Sequence, residues 1–251
     1  MTRGLYIAGT GMMLQRRLME NITNNISNAD TTGYKKEHLV SHSFDEVMIE
    51  RLNDTNVVGY TRLVGPLNLG TQIDQLYVNY AQGGLEGTER NTDLAMIGNG
   101  FFVVQTPDGE RYTRSGAFFI DELGYLITGE GNLLLGEDGP IYVGGLDFSV
   151  DGSGGVWVDD VYETRIRVVS FADNESLRKQ GSNLYFSLED PEDVTQPYGI
   201  RQGFLETSNV DISREMVDML SVYRTYETNQ RILTMIDETV GKAVNEIGRL
   251  R

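Results

Sequence analysis

Apolar residues recur at alternating spacings of three and four near both ends of the chain. Near the N-terminus the pattern comprises Leu5, Ala8, Met12, Gln15, Met19, Ile22, Ile26 and Ala29. Near the C-terminus it comprises Ile212, Met216, Met219, Tyr223, Tyr226, Gln230, Leu233, Asp237, Val240, Val244 and Ile247. This spacing is typical of the seam of a coiled coil. We predict two long helices that pair as one coiled-coil rod. Because their apolar surface exceeds what one partner helix covers, the pattern also indicates a polymer subunit.

The N-terminal helix is predicted to run from about Gly4 to Ser27 or Asn28. An Asn-Ala-Asp-Thr-Thr-Gly segment follows it, and Gly33 can adopt the positive φ that ends a helix. Amide side chains crowd the last turns, where they indicate either a frayed helix end or hydrogen bonds to neighbouring subunits. These residues are Asn21, Asn24, Asn25 and Asn28.

The C-terminal helix is predicted to start at Ser213, which is a suitable N-cap. Glu215 then lies in the first turn, where the helix dipole favours a negative charge. No Gly or Pro interrupts the segment before Gly241. A helix of this length cannot bury its seam without a partner.

Between the helices, residues 91–206 show short apolar runs separated by glycine turns. Phe101–Gln105 and Glu110–Arg114 predict a hairpin closed by Pro107-Asp108-Gly109. The spacing of the other runs indicates an antiparallel sandwich or barrel-like domain. The predicted fold class is therefore α+β. Its domains are an N-terminal helix (1–34), an extended linker segment (35–90), a β-rich outer domain (91–206) and a C-terminal helix (207–251).

The linker segment has weak periodicity. Residues 43–52, Ser-Phe-Asp-Glu-Val-Met-Ile-Glu-Arg-Leu, suggest a short helix, and residues 63–73 suggest a loop followed by a strand. Segments of this length are usually functional or flexible.

Charge is distributed unevenly over the 251 residues, whose net charge is −16. Residues 1–36 carry +3 and residues 207–251 carry −1, so the middle carries −18 by difference. Near-neutral ends can pack together, whereas the acidic middle argues against binding nucleic acid or an anionic membrane. No stretch is long and apolar enough for a bilayer span, and the opening residues form a poor secretory signal. The chain contains no Cys, which excludes disulfides and thiolate chemistry.

Candidate catalytic chemistry is sparse. His38 and His42 are the only histidines, four residues apart, and would share a face on a helix as metal ligands can. Gly98-Asn-Gly precedes a strand rather than a helix, so it indicates a tight turn and not a phosphate loop. The Asp-Gly pairs lack the spacing of calcium loops. We predict no enzyme activity, no cofactor and no metal site.

Three segments of the chain resemble one protein family. Leu5–Met12 with Asn24–Lys35 is similar to the N-terminal signature of bacterial flagellar rod and hook proteins. Asp93–Phe102 with Tyr112–Phe118 resembles their shared middle domain. Gly203–Asp211, followed by Glu-Met-Val-Asp-Met and Arg-Thr-Tyr-Glu, resembles their C-terminal signature. These segments occur in the family's order and span most of the chain.

The resemblance implies that the two helices form an inner coiled-coil layer around an axial channel, with the β domain outside. It implies partners, namely other copies of the chain, other rod and hook proteins, and the flagellar type III export apparatus. It implies a location in the flagellar basal body and a mechanical role, transmitting torque through a polymeric shaft. Hook proteins are usually longer, so a rod protein is favoured, and the proximal-rod (FlgF-like) type is preferred over the distal-rod (FlgG-like) type.

An assembly interface is predicted from the helical seams and the signature segments together. It comprises Leu5, Met12, Met19, Ile22, Asn24, Asn25, Ile26, Asn28, Thr32, Gly33, Tyr34, Ser208, Asn209, Val210, Ile212, Met216, Met219, Tyr223, Tyr226, Leu233, Ile236 and Val240.

Two other functional classes stay open at this point. A secreted adhesin could use coiled-coil ends to oligomerise, with glycan bound by residues 90–206. A peptidoglycan-cleaving enzyme on a rod-like scaffold would need a poised carboxylate pair or a metal, for which His38 and His42 are the only indication.

Overall fold

The structure, a computed structural model, describes residues 2–51, 62–181, 183–187, 189–193 and 198–247. The chain divides into two compact units. The helical unit contains Met1–Ile26, Glu37–Tyr77 and Ile212–Arg251, and the β unit contains Ser27–Lys36 and Val78–Asp211. The α+β class, with a β-rich body and helices at both ends, is confirmed.

Both predicted terminal helices are present in the helical unit. Helix α1 (Thr2–Ser27) ends where the sequence predicts. Helix α2 (Ile212–Lys242) has 31 residues, about 46 Å at 1.5 Å per residue, and continues into one π-helical turn (Ala243–Ile247). The prediction of Ser213 as N-cap is wrong, because α2 already includes Ile212 and the cap position falls on Asp211. No helix in the described part of the chain is long and apolar enough to cross a membrane.

Four strands follow α1 along the chain: β1 (Glu37–Ser43), β2 (Val47–Arg51), β3 (Arg62–Leu67) and β4 (Thr71–Val78). They form two antiparallel pairs, β1 with β4 and β2 with β3. The short helix predicted for residues 43–52 is therefore wrong over residues 47–51, and residue 52 lies outside the described residues. Val47 and Ile49 are β-branched and pair across to β3, and cross-strand pairing decides the conformation of so short an apolar run.

Within its described residues, the β unit contains seventeen short strands. They are β5 (Leu85–Gly87), β6 (Leu94–Ile97), β7 (Phe101–Thr106), β8 (Gly109–Thr113), β9 (Phe118–Ile120), β10 (Leu126–Thr128), β11 (Leu133–Gly136), β12 (Gly139–Pro140), β13 (Phe148–Val150), β14 (Gly155–Val158), β15 (Val161–Arg165), β16 (Val168–Ser170), β17 (Leu177–Lys179), β18 (Leu184–Ser187), β19 (Glu192–Asp193), β20 (Gly199–Gln202) and β21 (Phe204–Glu206). A 3-10 turn (Asn174–Ser176) precedes β17.

Antiparallel pairing organises these strands. The largest sheet follows the order β17-β18-β8-β7-β11-β10-β9, with β12 on β11 and β16 on both β7 and β19. Strands β13, β14 and β15 form a second sheet, and β20–β6 and β21–β5 form separate pairs. The predicted hairpin is confirmed as β7–β8, with Thr106 opposite Gly109. Gly109 has a φ of 114°, which a side chain would disfavour.

Two buried clusters form the core of the β unit. The larger one surrounds Phe102, which meets Phe118 edge to face at a centroid distance of 5.5 Å. The smaller one centres on Phe101, Phe171 and Tyr185. Strand β7 contributes alternate residues to the two clusters, because successive side chains of a strand point to opposite faces.

Candidate assembly surface and buried charge cluster

Helices α1 and α2 lie antiparallel and touch at regular intervals. A β-carbon placed on Gly4 would lie 3.2 Å from Cδ1 of Ile236, and one placed on Gly11 would lie 3.0 Å from Nδ2 of Asn229. Further along, Nδ2 of Asn25 donates to Oε2 of Glu215 at 3.2 Å. In every pair the two residue numbers sum to 240, so the register is constant. We call these three pairs the contact line.

The burial of both helices follows the same line. Between the contact positions on α1, Ala8 and Ile22 are buried and Gln15 is partly buried. On α2, Glu215 is the one buried residue. Most partly buried positions recur at spacings of three and four, namely Met219, Val222, Tyr226, Asn229, Leu233 and Ile236. Glu227 and Gly241 are also partly buried and lie outside this spacing.

Asn25 joins three segments of the helical unit. Its side chain is 1% exposed. Its Nδ2 donates to the Glu37 carbonyl at 2.9 Å, and its Oδ1 accepts from the Glu37 N–H at 3.0 Å. With Glu215 also bound, this amide is held within the chain, unlike the frayed end or the intersubunit contact considered from sequence. The sequence offers no sign of this role, because Glu37 and Glu215 lie 12 and 190 residues away.

Large apolar side chains of both helices stay exposed beside the contact line. Leu5 is 49% exposed, Met216 53%, Leu220 59% and Tyr223 49%. The other exposed apolar residues of the helices are Tyr6, Ile7, Met13, Ile212, Val217, Ile232, Met235, Val240 and Val244. We call this set the outer apolar surface. Tyr6 meets Phe44 of the same unit at a ring-centroid distance of 6.5 Å, and the others keep a face open.

The predicted interface residues of the helices thus fall into two groups. The first group is buried or partly buried and follows the spacing of the contact line: Ile22, Met219, Tyr226, Leu233 and Ile236. A second group is exposed or only partly buried and lies one position from the contact line or further away: Leu5, Met12, Met19, Asn24, Ile26, Ile212, Met216, Tyr223 and Val240.

The remaining predicted interface residues lie in the β unit, where several are used internally. Tyr34 is 1% exposed, and Nζ of Lys179 lies 4.0 Å from its ring centroid. Gly33 has the predicted positive φ, 66°, and a β-carbon there would lie 2.5 Å from the backbone of Arg114. Thr32 and Ser115 exchange a hydroxyl hydrogen bond at 3.2 Å. Gly33 and Tyr34 are thus buried within the β unit, whereas Thr32 is only partly buried, and their part in an interface stays a prediction.

Asn209 holds three backbone segments of the β unit together. Its Oδ1 accepts from the Lys36 N–H at 2.8 Å, and its Nδ2 donates to the carbonyls of Asn79 and Ala81 at 2.8 and 3.0 Å. Ser208, Val210 and Asn28 are partly buried. Ser208 accepts the Val210 N–H, and the Asn28 carbonyl and side chain accept from Thr31.

A buried charge cluster, which the sequence analysis missed, lies next to these residues. Nζ of Lys35 lies 2.6 Å from Oε1 of Glu206, and the two side chains are 0% and 1% exposed. Nη1 of Arg114, itself 3% exposed, lies 3.6 Å from Oε2 of the same carboxylate. Oε1 of Glu206 also accepts the Gly83 N–H at 2.9 Å. We call Lys35, Glu206 and Arg114 the charge cluster.

Burial determines the electrostatics of the charge cluster. Desolvation lowers the pKa of Lys35 below its usual value, and the contact with Glu206 opposes that shift. Desolvation likewise lowers the pKa of Arg114, again against the attraction of Glu206. The carboxylate of Glu206 therefore offsets part of the desolvation of both cations. A signal was present in the sequence, since each of the three family-like segments contains one of these charged residues.

Comparisons with known proteins match all three regions of the chain. Residues 5–35 match the flagellar basal body rod protein family, 95–166 the D1 domain of flagellar hook protein FlgE/F/G, and 201–246 the C-terminal region of flagellar basal body rod FlgEFG protein. Flagellar hook-basal body complex protein FlhO of Bacillus subtilis is 32% identical, and the alignment covers 100% of both chains. The chain belongs to the flagellar basal-body rod protein family.

Other relatives come from both rod types. Flagellar basal-body rod protein FlgG of Bacillus subtilis is 31% identical over 98% of this chain and 99% of its own. Flagellar basal-body rod protein FlgF of Caulobacter vibrioides is 30% identical over 100% of both chains. Membership makes this rod-family chain a structural subunit of the flagellar basal body, as the sequence analysis predicts. The preference for the FlgF-like type stays a prediction.

The family matches also explain where the charge cluster lies. Lys35 falls in the first matched region, Arg114 in the second and Glu206 in the third. The cluster is thus the place in the β unit where the three regions meet. His38 and His42, by contrast, lie exposed on β1, and within the described residues no group of three His, Asp or Glu side chains is placed to hold a metal ion.

Proposed function

We propose that α1 and α2 pair as a coiled coil, and that copies of the chain polymerise through this pair into the tubular rod. The spacing of the contact line supports the first part. Contact positions are separated by 7 and 14 residues on each helix, which is one heptad and then two. A heptad repeat keeps a contact stripe facing its partner when two helices supercoil.

The outer apolar surface is the observation that carries the polymer proposal. Met216, Leu220 and Tyr223 follow spacings of four and three, so they form one stripe on α2. A groove of about 480 Å³ lies beside it, lined by Val217, Leu220 and Arg224 among others. Exposed apolar surface of this extent marks an interaction site, because each Å² removed from water contributes about 25 cal/mol.

The proposed partners are other copies of this chain and the adjoining axial proteins of the rod and hook. In such a polymer, the near-neutral helices form the inner layer and the acidic β units stay outside, where like charges limit stray association. Many weak contacts between subunits then share the load when the shaft transmits torque. We further propose export by the flagellar type III apparatus and, among rod types, the proximal position.

The central experiment separates folding from assembly. In a strain lacking the gene, Tyr223→Asp and Met216→Asp variants should fail to restore motility, and basal bodies imaged by electron microscopy should lack a complete rod. If the outer apolar surface is buried against a neighbouring copy, a carboxylate placed there would be buried without an opposite charge, which is energetically costly. The matched controls Tyr223→Phe and Met216→Leu, which keep the surface apolar, should restore motility.

Folding of each purified variant is checked by circular dichroism and urea titration. If the two Asp variants fold normally but still enter rods of normal length, the polymer proposal is wrong. The point at which the rod ends in the deletion strain distinguishes the proximal position from the distal one.

A further inference from the structure

An open groove of about 670 Å³ lies on the β unit beside strand β9. Its apolar lining consists of Phe119, Ile120 and Leu146, and residues 89–92 add polar lining. Phe119 is 43% exposed and Leu146 is 67% exposed. The guanidinium of Arg90 lies 5.3 Å from the Phe119 ring centroid, so that ring is held in place from one side. Large apolar side chains that stay this exposed beside a groove mark a contact surface.

Acidic residues accompany the apolar lining of this groove. Glu89 is itself a lining residue and is exposed. Three more acids directly follow apolar lining residues in the chain: Asp121, Glu122 and Asp147. We call the groove together with these four acids the acidic groove. A partner that fits it offers an apolar group flanked by positive charge, because complementary charge favours the right partner and repels the wrong one.

The same β unit carries a group of that kind at the other end of the strand order of its largest sheet. Arg178 on β17 pairs across to Phe186 on β18, and Arg111 lies on the next strand, β8. The Arg111 guanidinium is 5.9 Å from the Phe186 ring centroid. Arg178 is exposed, and the other two residues are partly buried. An aromatic ring thus stands between two arginines on adjacent strands, and we call these three residues the basic row.

The charge of the β unit favours contact between unlike surfaces of two copies. Residues 78–206 contain 22 acidic and eight basic residues, so contact between identical surfaces would place carboxylates against carboxylates. Some of the basic residues serve the fold, since Arg114 is buried and Arg167 pairs with Glu110 at 2.9 Å. Arg111 and Arg178, by contrast, flank an apolar ring. The chain therefore carries both halves of a complementary contact.

We propose that the basic row of one copy docks in the acidic groove of the next copy. Phe186 then packs against Leu146 and Phe119. Arg111 and Arg178 lie close to the carboxylates of that groove. The two surfaces share no residue, so the contact is head to tail and can repeat from copy to copy. This inference rests on the proposed polymer and adds a contact between β units to the contact between helices.

Cross-linking in assembled rods tests the contact directly, because the chain has no native Cys. Leu146→Cys and Arg178→Cys, both at exposed positions, are placed on two differently tagged copies that are expressed together in a strain lacking the gene. A short bismaleimide should join the two tagged copies in purified basal bodies, and neither variant alone should cross-link. In the matched control, Val161→Cys replaces Arg178→Cys; Val161 is 63% exposed and outside both surfaces, so no product should form.

Charge reversal tests the electrostatic part of the contact. Arg178→Glu and Glu122→Arg each place like charges against each other and should each lower the number of complete rods per cell about two- to tenfold. The double variant with both changes should recover most of that loss. As a control, Arg178→Glu combined with Glu163→Arg restores the net charge at an exposed position outside both surfaces and should not recover it.

The outcomes separate this inference from the proposed function. Rods of normal length in which the two tagged copies do not cross-link overturn the contact between β units and leave the polymer through the helices intact. Cross-linking of either copy to a different axial protein overturns the choice of a second copy as the partner. If a Cys variant does not enter rods, the charge-reversal series decides. Recovery specific to Arg178→Glu with Glu122→Arg supports the contact, and equal loss in the single and double variants overturns it.

Discussion

Strand β7 and helix α2 bury their residues in opposite ways. Five of the six residues of β7 are buried, among them Phe102 and Val104 at 0% exposure. Of the 31 residues of α2, one is buried, and it is Glu215. The helix meanwhile exposes Leu220 and Tyr223 to 59% and 49%. The strand places its apolar side chains inside, and the helix leaves most of its own outside.

This difference shows which part of the chain completes its own fold. The β unit closes two apolar cores without any partner. The contact line between the helices consists of glycines, polar side chains and Ile236, and most apolar side chains of α2 stay exposed. A family of polymer subunits needs both properties: a body that is stable in each copy, and a surface whose stability comes from the neighbours.

Truncation of a side chain in each region is the strongest test of the comparison. Phe102→Ala removes a ring that is fully buried against Phe118 and should lower the free energy of unfolding by about 3–5 kcal/mol. Met216→Ala removes a half-exposed chain and should change it by less than about 0.5 kcal/mol. Urea titration of the two purified variants measures both. Equal losses would mean that the helical surface is already buried in the free chain.

The charge cluster allows a sharper test of the β unit. Glu206→Gln leaves Lys35 and Arg114 buried without a counter-charge and should cost about 3–5 kcal/mol. Lys35→Met should cost less, because Arg114 still balances Glu206. The double variant with both Glu206→Gln and Lys35→Met should recover part of the stability that Glu206→Gln alone loses. A double-mutant cycle by urea titration measures the coupling between the two side chains. Additive losses would show that the two side chains act independently.

In the helical unit, two glycines of α1 serve as a matched pair. Gly11→Leu introduces a side chain where a β-carbon would already lie 3.0 Å from Asn229, and should cost about 1–3 kcal/mol as the helices separate. A β-carbon on Gly9 would meet nothing within 4 Å, so Gly9→Leu should be neutral or slightly stabilising, because leucine favours a helix over glycine.

The separation can be measured directly. The chain has no native Cys, so spin labels at Arg16→Cys and Thr225→Cys report only the distance between the helices. Gly11→Leu should lengthen or broaden that distance, and Gly9→Leu should leave it unchanged. The same response from both variants would argue against the contact line.

The smallest expected effect concerns pH. Burial lowers the pKa of Lys35 in the folded chain below its ordinary value of 10.5. At a pH between the pKa of the folded chain and that of the unfolded chain, the unfolded chain therefore binds the proton more tightly. Stability contributed by Lys35 should therefore increase as pH rises through that window and fall again as pH returns to neutral. The difference in unfolding free energy between the parent chain and Lys35→Met, measured at pH 7 and pH 10, should shift in favour of the parent. A shift in the opposite direction would mean that the pKa is raised.

The sequence predicted the helices and the strands better than it predicted their contacts. Heptad spacing correctly identifies Ala8, Ile22 and Leu233 as positions turned inward. It cannot identify Gly11 or Asn229, because neither a glycine nor an amide side chain contributes to an apolar pattern. As a result, half of each predicted seam lies beside the contact line.

Long-range pairs account for the remaining misses. Lys35 and Glu206 are 171 residues apart, and although both lie in family-like segments, the hydrophobic pattern of neither segment indicates that they meet. The helix predicted over β2 is wrong for a related reason, since Val47 and Ile49 gain their conformation from β3. Local periodicity is a property of one segment, whereas these contacts depend on the topology of the whole unit.

The hydrogen bond between Asn25 and Glu215 has a mechanical consequence. A shaft under twist strains its helices along their axes, and two helices joined by small residues could slide past each other. A slip of one heptad in one direction would move Glu215 from Asn25 to the level of Leu18, leaving a buried carboxylate beside a leucine. Such a step would cost several kcal/mol before any neighbour is disturbed. If the helices pair as proposed, we expect this hydrogen bond to resist sliding within every copy, so that part of the stiffness of the shaft would come from inside the single chain.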